Sequence, residues 1–359
     1  MNKTYGIAMI GAGARGKSYS EAWRQTDAAE LVSIADIDAK RAAEYRETYG
    51  YAHDGTDYRE AIDREDVDIV TVCTPAATHP EIAVYAMNHG KHVICEKPIA
   101  LSLASAREMM DAEKKNNVML AMGFQYRYGA KYRKYKQLID KQLVGTPFAV
   151  VFNDFRAIRT VCGKPAMHDA VAGNGGPFVD MLCHMTDLMR WYTGSEPVRV
   201  NANLFSYGKN RPELTDLEYL VGNHQGEMKK IEIIAPDTGS VTVEFASNDI
   251  LTVNMCWGLP PDKDGGGAFD MIGPEGHMNG AKLEDVPLSD PPGDENQDAC
   301  VIRDFLDALA GGTRPRTGGQ DGLAALAVSL AAVKSSAQKR VVSLAEIHEE
   351  QPALIDLLK

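Results

Sequence analysis

The six residues Gly11-Ala12-Gly13-Ala14-Arg15-Gly16 constrain the fold of this chain more than any other stretch, because of what stands on either side of them. On its own, G-x-G-x-x-G is a pattern that many unrelated loops satisfy. Here it follows Tyr5-Gly6-Ile7-Ala8-Met9-Ile10, a short, largely apolar run that reads as a strand buried on both faces. Ser18 to Trp23 continue as a helix, and a second apolar run, Leu31-Val32-Ser33-Ile34-Ala35, ends at Asp36, 20 positions after Gly16. Strand, glycine turn, helix, strand and acid is the order that a dinucleotide site requires. Gly11 permits the tight turn, Gly13 lets backbone N–H groups approach a pyrophosphate, and Gly16 lets the helix lie close on the strand. Ala14 and Arg15 belong to the same cradle. Asp36 would accept hydrogen bonds from a ribose diol and repel a 2′-phosphate, so NAD is expected ahead of NADP, a preference that Arg41 tempers.

The alternation continues beyond this unit. Residues 67–75 read as a buried strand ending at Pro75, 79–90 as a helix closed by a glycine, and 91–98 as another strand stopped by Pro98. A helix over 102–117 and a strand over 118–124 follow, which makes a doubly wound parallel sheet. From 124 the character changes to β-like segments at 147–155, 198–207, 227–235, 240–258 and 267–282, several with the alternation of an antiparallel sheet covered on one face. A helix at 177–192 interrupts them, and the helical stretches within 295–338 are free to pack back on either part. The expected organisation is α/β: an N-terminal Rossmann domain over 1–123 and a C-terminal α/β domain over 124–359 with a large, mostly antiparallel open sheet. A chain of 359 residues exceeds the usual size of a single core, which agrees with two domains.

Charge and cysteine usage narrow the setting. A net charge of −12 argues against a nucleic-acid partner, since that affinity comes mainly from concentrated Lys and Arg. The basic, aromatic stretch 131–141 reads as a solvated helix face with Leu138, Ile139 and Leu143 turned inward. The start runs straight into the first strand, with no signal-peptide pattern, and the longest apolar stretch, 322–333, is too short to span a bilayer. The six cysteines are dispersed, with no C-x-x-C pair, so a cytoplasmic enzyme without membrane contact is expected.

Two constellations carry chemistry. Cys95-Glu96-Lys97-Pro98 stands at the carboxyl end of a parallel strand, where ligands bind in open α/β sheets. A lysine desolvated there is expected to have a lowered pKa and to serve as an acid/base. In the strongly apolar helix after Gly173-Asn174-Gly175-Gly176, the exceptions Asp180, His184 and Asp187 are spaced by four and then three, so they share one face and point to a cavity. No third close ligand completes a metal set, and none is expected.

These elements, with Thr74-Pro75, His79, Gly90–Leu101, Gly123-Phe124 and the glycine-rich entry to Asp180-x-x-x-His184, closely resemble the Gfo/Idh/MocA family, the glucose-fructose oxidoreductase and inositol dehydrogenase group. The resemblance covers essentially the whole chain. It implies NAD(P) as cofactor, a sugar, glycoside or polyol as substrate, and a homodimer or homotetramer built on the open sheet. It implies that Lys97 contacts substrate and relays protons, that His184 is the acid/base and that Asp180 orients one of them. Thr74, Pro75, His79, Glu96, Pro98 and Gln125 would border the cofactor, and the Lys97–Pro98 bond would be cis. Tyr126, Arg127, Arg156 and His168 join the expected substrate contacts, although Gln125-Tyr126-Arg127-Tyr128 departs from the family's asparagine-arginine pattern after Gly-Phe. Arg156, Arg159 and Lys164 would suit an anionic sugar.

The reaction expected is hydride transfer between a hydroxyl-bearing carbon and nicotinamide. The alternative is a redox-neutral glycosidase that oxidises, eliminates, hydrates and reduces again, with Tyr126, Tyr128 and His168 as candidate additional bases. A nucleotide-responsive regulator without turnover is the non-enzymatic rival, against which the intact Lys97, Asp180 and His184 count.

Overall fold

In the computed structural model, which describes residues 4–157, 168–170, 174–210, 218–220, 228–230, 233–260, 262–263, 265–279 and 296–359, the first apolar runs form one parallel sheet. Strands β1 (Tyr5–Ile10), β2 (Ala29–Ala35), β3 (His53–Gly55), β4 (Ile69–Val72), β5 (His92–Cys95) and β6 (Leu120–Met122) lie in the order β3-β2-β1-β4-β5-β6. Helices α1 (Ala14–Trp23), α2 (Ala39–Tyr49), α3 (Tyr58–Ile62), α4 (His79–Asn88) and α5 (Leu103–Asn116) connect them. With helices on both faces there is no wet side, so Ile7, Ala8 and Met9 are all fully buried and the strands need no alternation. The helix ends are written locally. Asp38 caps α2 by accepting from the Lys40 and Arg41 N–H groups, Ser102 caps α5 through Ser105, and left-handed Gly50 and Asn117 close the same two helices. Strand order reverses between β1 and β4, which opens a crevice at their carboxyl ends.

A 3-10 turn (Gln125–Tyr128) and α6 (Ala130–Asp140) lead into the second half. Leu138 and Ile139 of α6 are buried as expected, and Tyr135 is buried with them; Leu143 is instead 52 % exposed, because it lies beyond the end of the helix and off its inner face. Strands β7 (Ala149–Ala157), β8 (Pro197–Phe205), β11 (Thr238–Phe245), β12 (Ile250–Leu259), β13 (Gly266–Gly273), β14 (Gly276–Met278) and β15 (Val342–Ser343) form a seven-stranded sheet in the order β14-β13-β7-β12-β11-β8-β15. The pair β7 and β12 is parallel and its other neighbours are antiparallel. The β-like stretch 240–258 forms the hairpin of β11 and β12, turned by Asn248 at φ 68°. Of 227–235, Met228–Lys230 (β10) pairs with Glu218–Leu220 (β9) in a separate ribbon.

One face of the large sheet, carrying Val200, Ala202, Val241, Val243, Leu251 and Val253, is buried beneath α7 (Pro177–Thr193) and α9 (Gly319–Gln338). The small residues of α9 let it approach closely on all sides, so it packs on α5 as well as on α7 and β8 and joins the two halves in one core. Met122 N–H donates to the Thr317 carbonyl at 2.9 Å beside an antiparallel bridge between Ala121 and Gly318 at the sheet edge, and α8 (Gln297–Gly311) packs on α1. Helices α10 (Leu344–Glu350) and α11 (Leu354–Leu358) complete the chain. No helix among the described residues is long and apolar enough to cross a membrane.

Candidate functional site

The glycine loop is shaped as the sequence requires. Gly11 turns at φ 104°, where a Cβ would lie 2.8 Å from the Cys73 carbonyl, and a Cβ on Gly16 would lie 2.0 Å from the Gly11 oxygen. Gly13 is different: its backbone is extended and an added Cβ meets nothing within 4 Å. The start of α1 behind it has no side-chain cap and no acid in its first turn, so its N–H groups are available to an anion. Asp36 ends β2 with its carboxylate held by the Ala12 N–H at 2.7 Å and the Asp38 N–H at 2.9 Å, and Arg41 pairs with it at 3.1 Å. Open room over Gly13, an uncapped helix start and a fixed acid at the next strand fit an NAD-type dinucleotide. Gly13→Ala is therefore expected to leave the thermal unfolding midpoint unchanged and to weaken NADH binding by roughly tenfold or more, since a methyl forced into a close contact costs about 1–3 kcal/mol. Fluorescence titration with NADH and a melting curve check both halves of that expectation.

Across the crevice, β5 delivers Glu96, Lys97 and Pro98, with the Lys97–Pro98 peptide cis. Lys97 Nζ donates to Asp180 Oδ1 at 2.5 Å, and both side chains are nearly buried. Asp180 and His184 stand one turn apart on α7, so the helical spacing carries both to the β5 end. The expected lowering of the Lys97 pKa is corrected. Burial pulls it down, but the Asp180 and Glu96 carboxylates outweigh burial and the ammonium is held above its ordinary range. His184 moves the other way: burial first, then the Lys97 and Arg15 charges, keep its imidazole well below 6.5 and neutral.

Around this trio the expected residues divide. Tyr126 stacks on the His184 ring. Arg127 lies in a buried ion network rather than in the cavity: it clasps Asp187 at 2.8 and 2.5 Å and Asp321 at 2.8 Å. Asp187 thus shares the Asp180 and His184 face but serves that network. Arg156 packs over Trp257 and donates to Asp154 at 2.9 Å. His168 is corrected as a substrate contact, because it is fully buried and its ring lies 3.7 Å from Asp237. His79 is corrected as a cofactor contact. It too is fully buried, and its nitrogens span the Thr74 and Pro98 carbonyls at 2.8 and 2.9 Å, bracing the Thr74-Pro75 loop against the Lys97-Pro98 turn. The Gln125 side-chain oxygen is buried without a hydrogen-bond partner among the described residues. Arg159 and Lys164 lie outside the described residues.

Two side chains escaped sequence reasoning. Asp154 is a buried carboxylate on β7, held by Trp257 Nε1 at 2.9 Å, and with Arg156 it is close enough to influence the Tyr126 phenol. Strand alternation alone does not separate it from its neighbours. Asp298, at the start of α8, accepts from Arg15 at 2.6 Å while Arg15 also holds Glu96 at 2.9 Å, tying the glycine loop to the Lys97 strand. The pairing spans most of the chain and leaves no local pattern.

Comparison with known proteins agrees with this geometry. Over 356 residues the chain is 28 % identical to myo-inositol 2-dehydrogenase of Thermotoga maritima, covering 95 % of this chain and 99 % of that one. It is 30 % identical over 257 residues to D-glucoside 3-dehydrogenase of Escherichia coli, 70 % of each chain. The crystal structure of myo-inositol 2-dehydrogenase from Lactobacillus plantarum shares the fold with a TM-score of 0.77 at 24 % identity, over 95 % of this chain and 99 % of that one. Residues 5–124 match the model of an oxidoreductase family with an NAD-binding Rossmann fold, and residues 132–279 match the C-terminal domain of the same family. The glycine cradle, the Lys97 strand and the helix that faces it thus have one common origin: the chain belongs to the Gfo/Idh/MocA oxidoreductase family.

Proposed function

We propose that this protein is an NAD-dependent dehydrogenase that moves hydride between nicotinamide and a sugar, glycoside or polyol hydroxyl, with His184 as acid/base. The observation that carries the assignment of roles is the Lys97, Asp180 and His184 cluster, facing the crevice that the glycine loop opens. NAD, which the glycine loop and Asp36 would hold, would supply the hydride-transfer chemistry at a carbinol carbon. The chain's own part is proton handling and alignment. Neutral His184 takes the hydroxyl proton, and the Lys97 ammonium, charged at working pH and held by Asp180, stabilises the oxygen as negative charge develops on it. The relatives named above are dehydrogenases, and they lend no support to redox-neutral glycoside hydrolysis.

The test is incubation with NAD and a panel of inositols, free sugars, uronates and glycosides while following nicotinamide absorbance. Net NADH formation is expected; aglycone release without NADH would overturn the assignment. Lys97→Met is expected to lower kcat by roughly 100- to 1,000-fold with NADH affinity nearly unchanged, the typical loss when one donor to a developing oxyanion is removed. The pH profile follows from the direction of the His184 shift. A histidine held below 6.5 is already in its base form there, so the acid limb of kcat/KM for alcohol oxidation is expected below 6.5, and an inflection at the ordinary histidine value would count against His184 as the base.

The outer face of the seven-stranded sheet supports a homodimer or homotetramer. Asn153 and Asn254 pair across it at 3.0 Å, Ile250 and Ile272 are exposed on it, and no helix among the described residues covers it. Light scattering after size exclusion is expected to give two or four chain masses. Cys73, Cys95, Cys183 and Cys256 are thiols not joined in disulfides, which suits a reducing compartment such as the cytoplasm.

A further inference from the structure

An acid/base histidine is ordinarily aimed by a hydrogen bond to its second ring nitrogen. His184 lacks that device: its Nδ1 is buried and has no hydrogen-bond partner among the described residues. What surrounds the ring is aromatic. Tyr126 lies parallel to it, with centroids 4.1 Å apart and planes 14° apart, and Tyr132 continues the stack on the far side of Tyr126 at 4.9 Å and 15°. Phe124 meets the imidazole edge-on at 6.2 Å.

The stack is anchored at both ends. Arg127, the residue after Tyr126, clasps Asp187, which lies one turn beyond His184 on α7. Two adjacent side chains of the 3-10 turn thus grip two successive positions on the same helix face. Tyr132 rests edge-on against Phe269 of β13 at 5.8 Å, and its carbonyl accepts from the Tyr192 hydroxyl at 3.0 Å. With rings on both faces, Tyr126 has no free face to offer a sugar.

We propose that Tyr126, backed by Tyr132, is the positioning residue that aims the His184 imidazole. The parallel ring fixes the imidazole plane by packing, where other histidines use a hydrogen bond. Its negative face also attracts the imidazole most strongly once that ring has taken the substrate proton, so the contact favours the charged state formed during the reaction over the resting one. This inference rests on His184 being the acid/base, and its test keeps the two apart.

The experiment uses the full chain with NAD and the best substrate from the panel, comparing His184→Gln, Tyr126→Leu, Tyr126→Phe and Tyr132→Leu. Tyr126→Leu is expected to lower kcat by about 10- to 100-fold, the scale of a misaimed catalytic group, with KM and the Kd for NADH little changed. Tyr126→Phe restores the ring without the hydroxyl and is expected to recover most of that loss. The His184 ring protons, assigned by their absence in His184→Gln, should be shifted upfield by the stacked ring in wild type and in Tyr126→Phe, and should move downfield in Tyr126→Leu. Tyr132→Leu removes the outer ring and is expected to give a smaller loss of kcat, which preserves the test if Tyr126→Leu does not fold. Full activity in Tyr126→Leu, or equal losses in the Phe and Leu variants, overturns the positioning role while His184→Gln stays inactive. Full activity in His184→Gln overturns the base assignment and the positioning role with it.

Discussion

His184→Ala is expected to lower kcat by roughly 100- to 10,000-fold, the range for loss of a positioned acid/base, while the Kd for NADH stays close to that of the unmodified protein. The size follows from what the imidazole does and from what cannot replace it. Asp180 is hydrogen-bonded to Lys97, and Lys97 is charged, so neither neighbour is placed to accept a hydroxyl proton. The selectivity follows from the separation of parts: the proposed cofactor cradle is built from the glycine loop and Asp36, whereas His184 stands on α7. Steady-state rates together with NADH fluorescence separate the two quantities. A variant with wild-type turnover, or one whose main defect is in NADH binding, would refute the assignment.

Arg127→Leu is expected to cost about 3–5 kcal/mol of stability, seen as a large drop in the thermal or denaturant midpoint. Its guanidinium is the hinge of a buried network in which Asp187 and Asp321 both depend on it, and Asp321 also takes Arg190 at 2.5 Å. Removing Arg127 leaves the Asp187 carboxylate, 1 % exposed, without its bidentate partner. The cost of a buried, uncompensated charge is what makes the loss large, whereas the intact pair adds little net stability after its own desolvation. Asp187→Leu made together with Arg127→Leu should recover part of the loss, because the two apolar side chains leave no charge stranded. A double variant as unstable as Arg127→Leu alone would show that packing around the guanidinium stem, rather than the orphaned carboxylate, dominates.

The glycine loop, the Lys97 strand end and the Asp180 and His184 helix face were legible because each is a local pattern with a local cause. Parallel strands covered on both faces must be apolar along their whole length, which made β1, β4 and β5 readable. Residues four apart on a helix share a face whatever the helix packs on, which made Asp180 and His184 a pair. Leu143 was misread at the same scale, since apolar character alone does not show where a helix stops.

The sequence by itself determined the dinucleotide cradle, the residue types of the Lys97, Asp180 and His184 cluster and the change of architecture near residue 124, all encoded in short-range spacing and backbone permissions such as the turn at Gly11. Tertiary structure decided how those groups behave. Asp180 arrives beside Lys97 across 83 residues and reverses its expected pKa shift, Asp298 reaches Arg15 across 283, and Arg127 binds Asp187 instead of facing the cavity. A pKa and a side chain's direction depend on which charges and rings come within a few ångströms in space, and that is settled only when α7, the 3-10 turn and the two sheets close on one another.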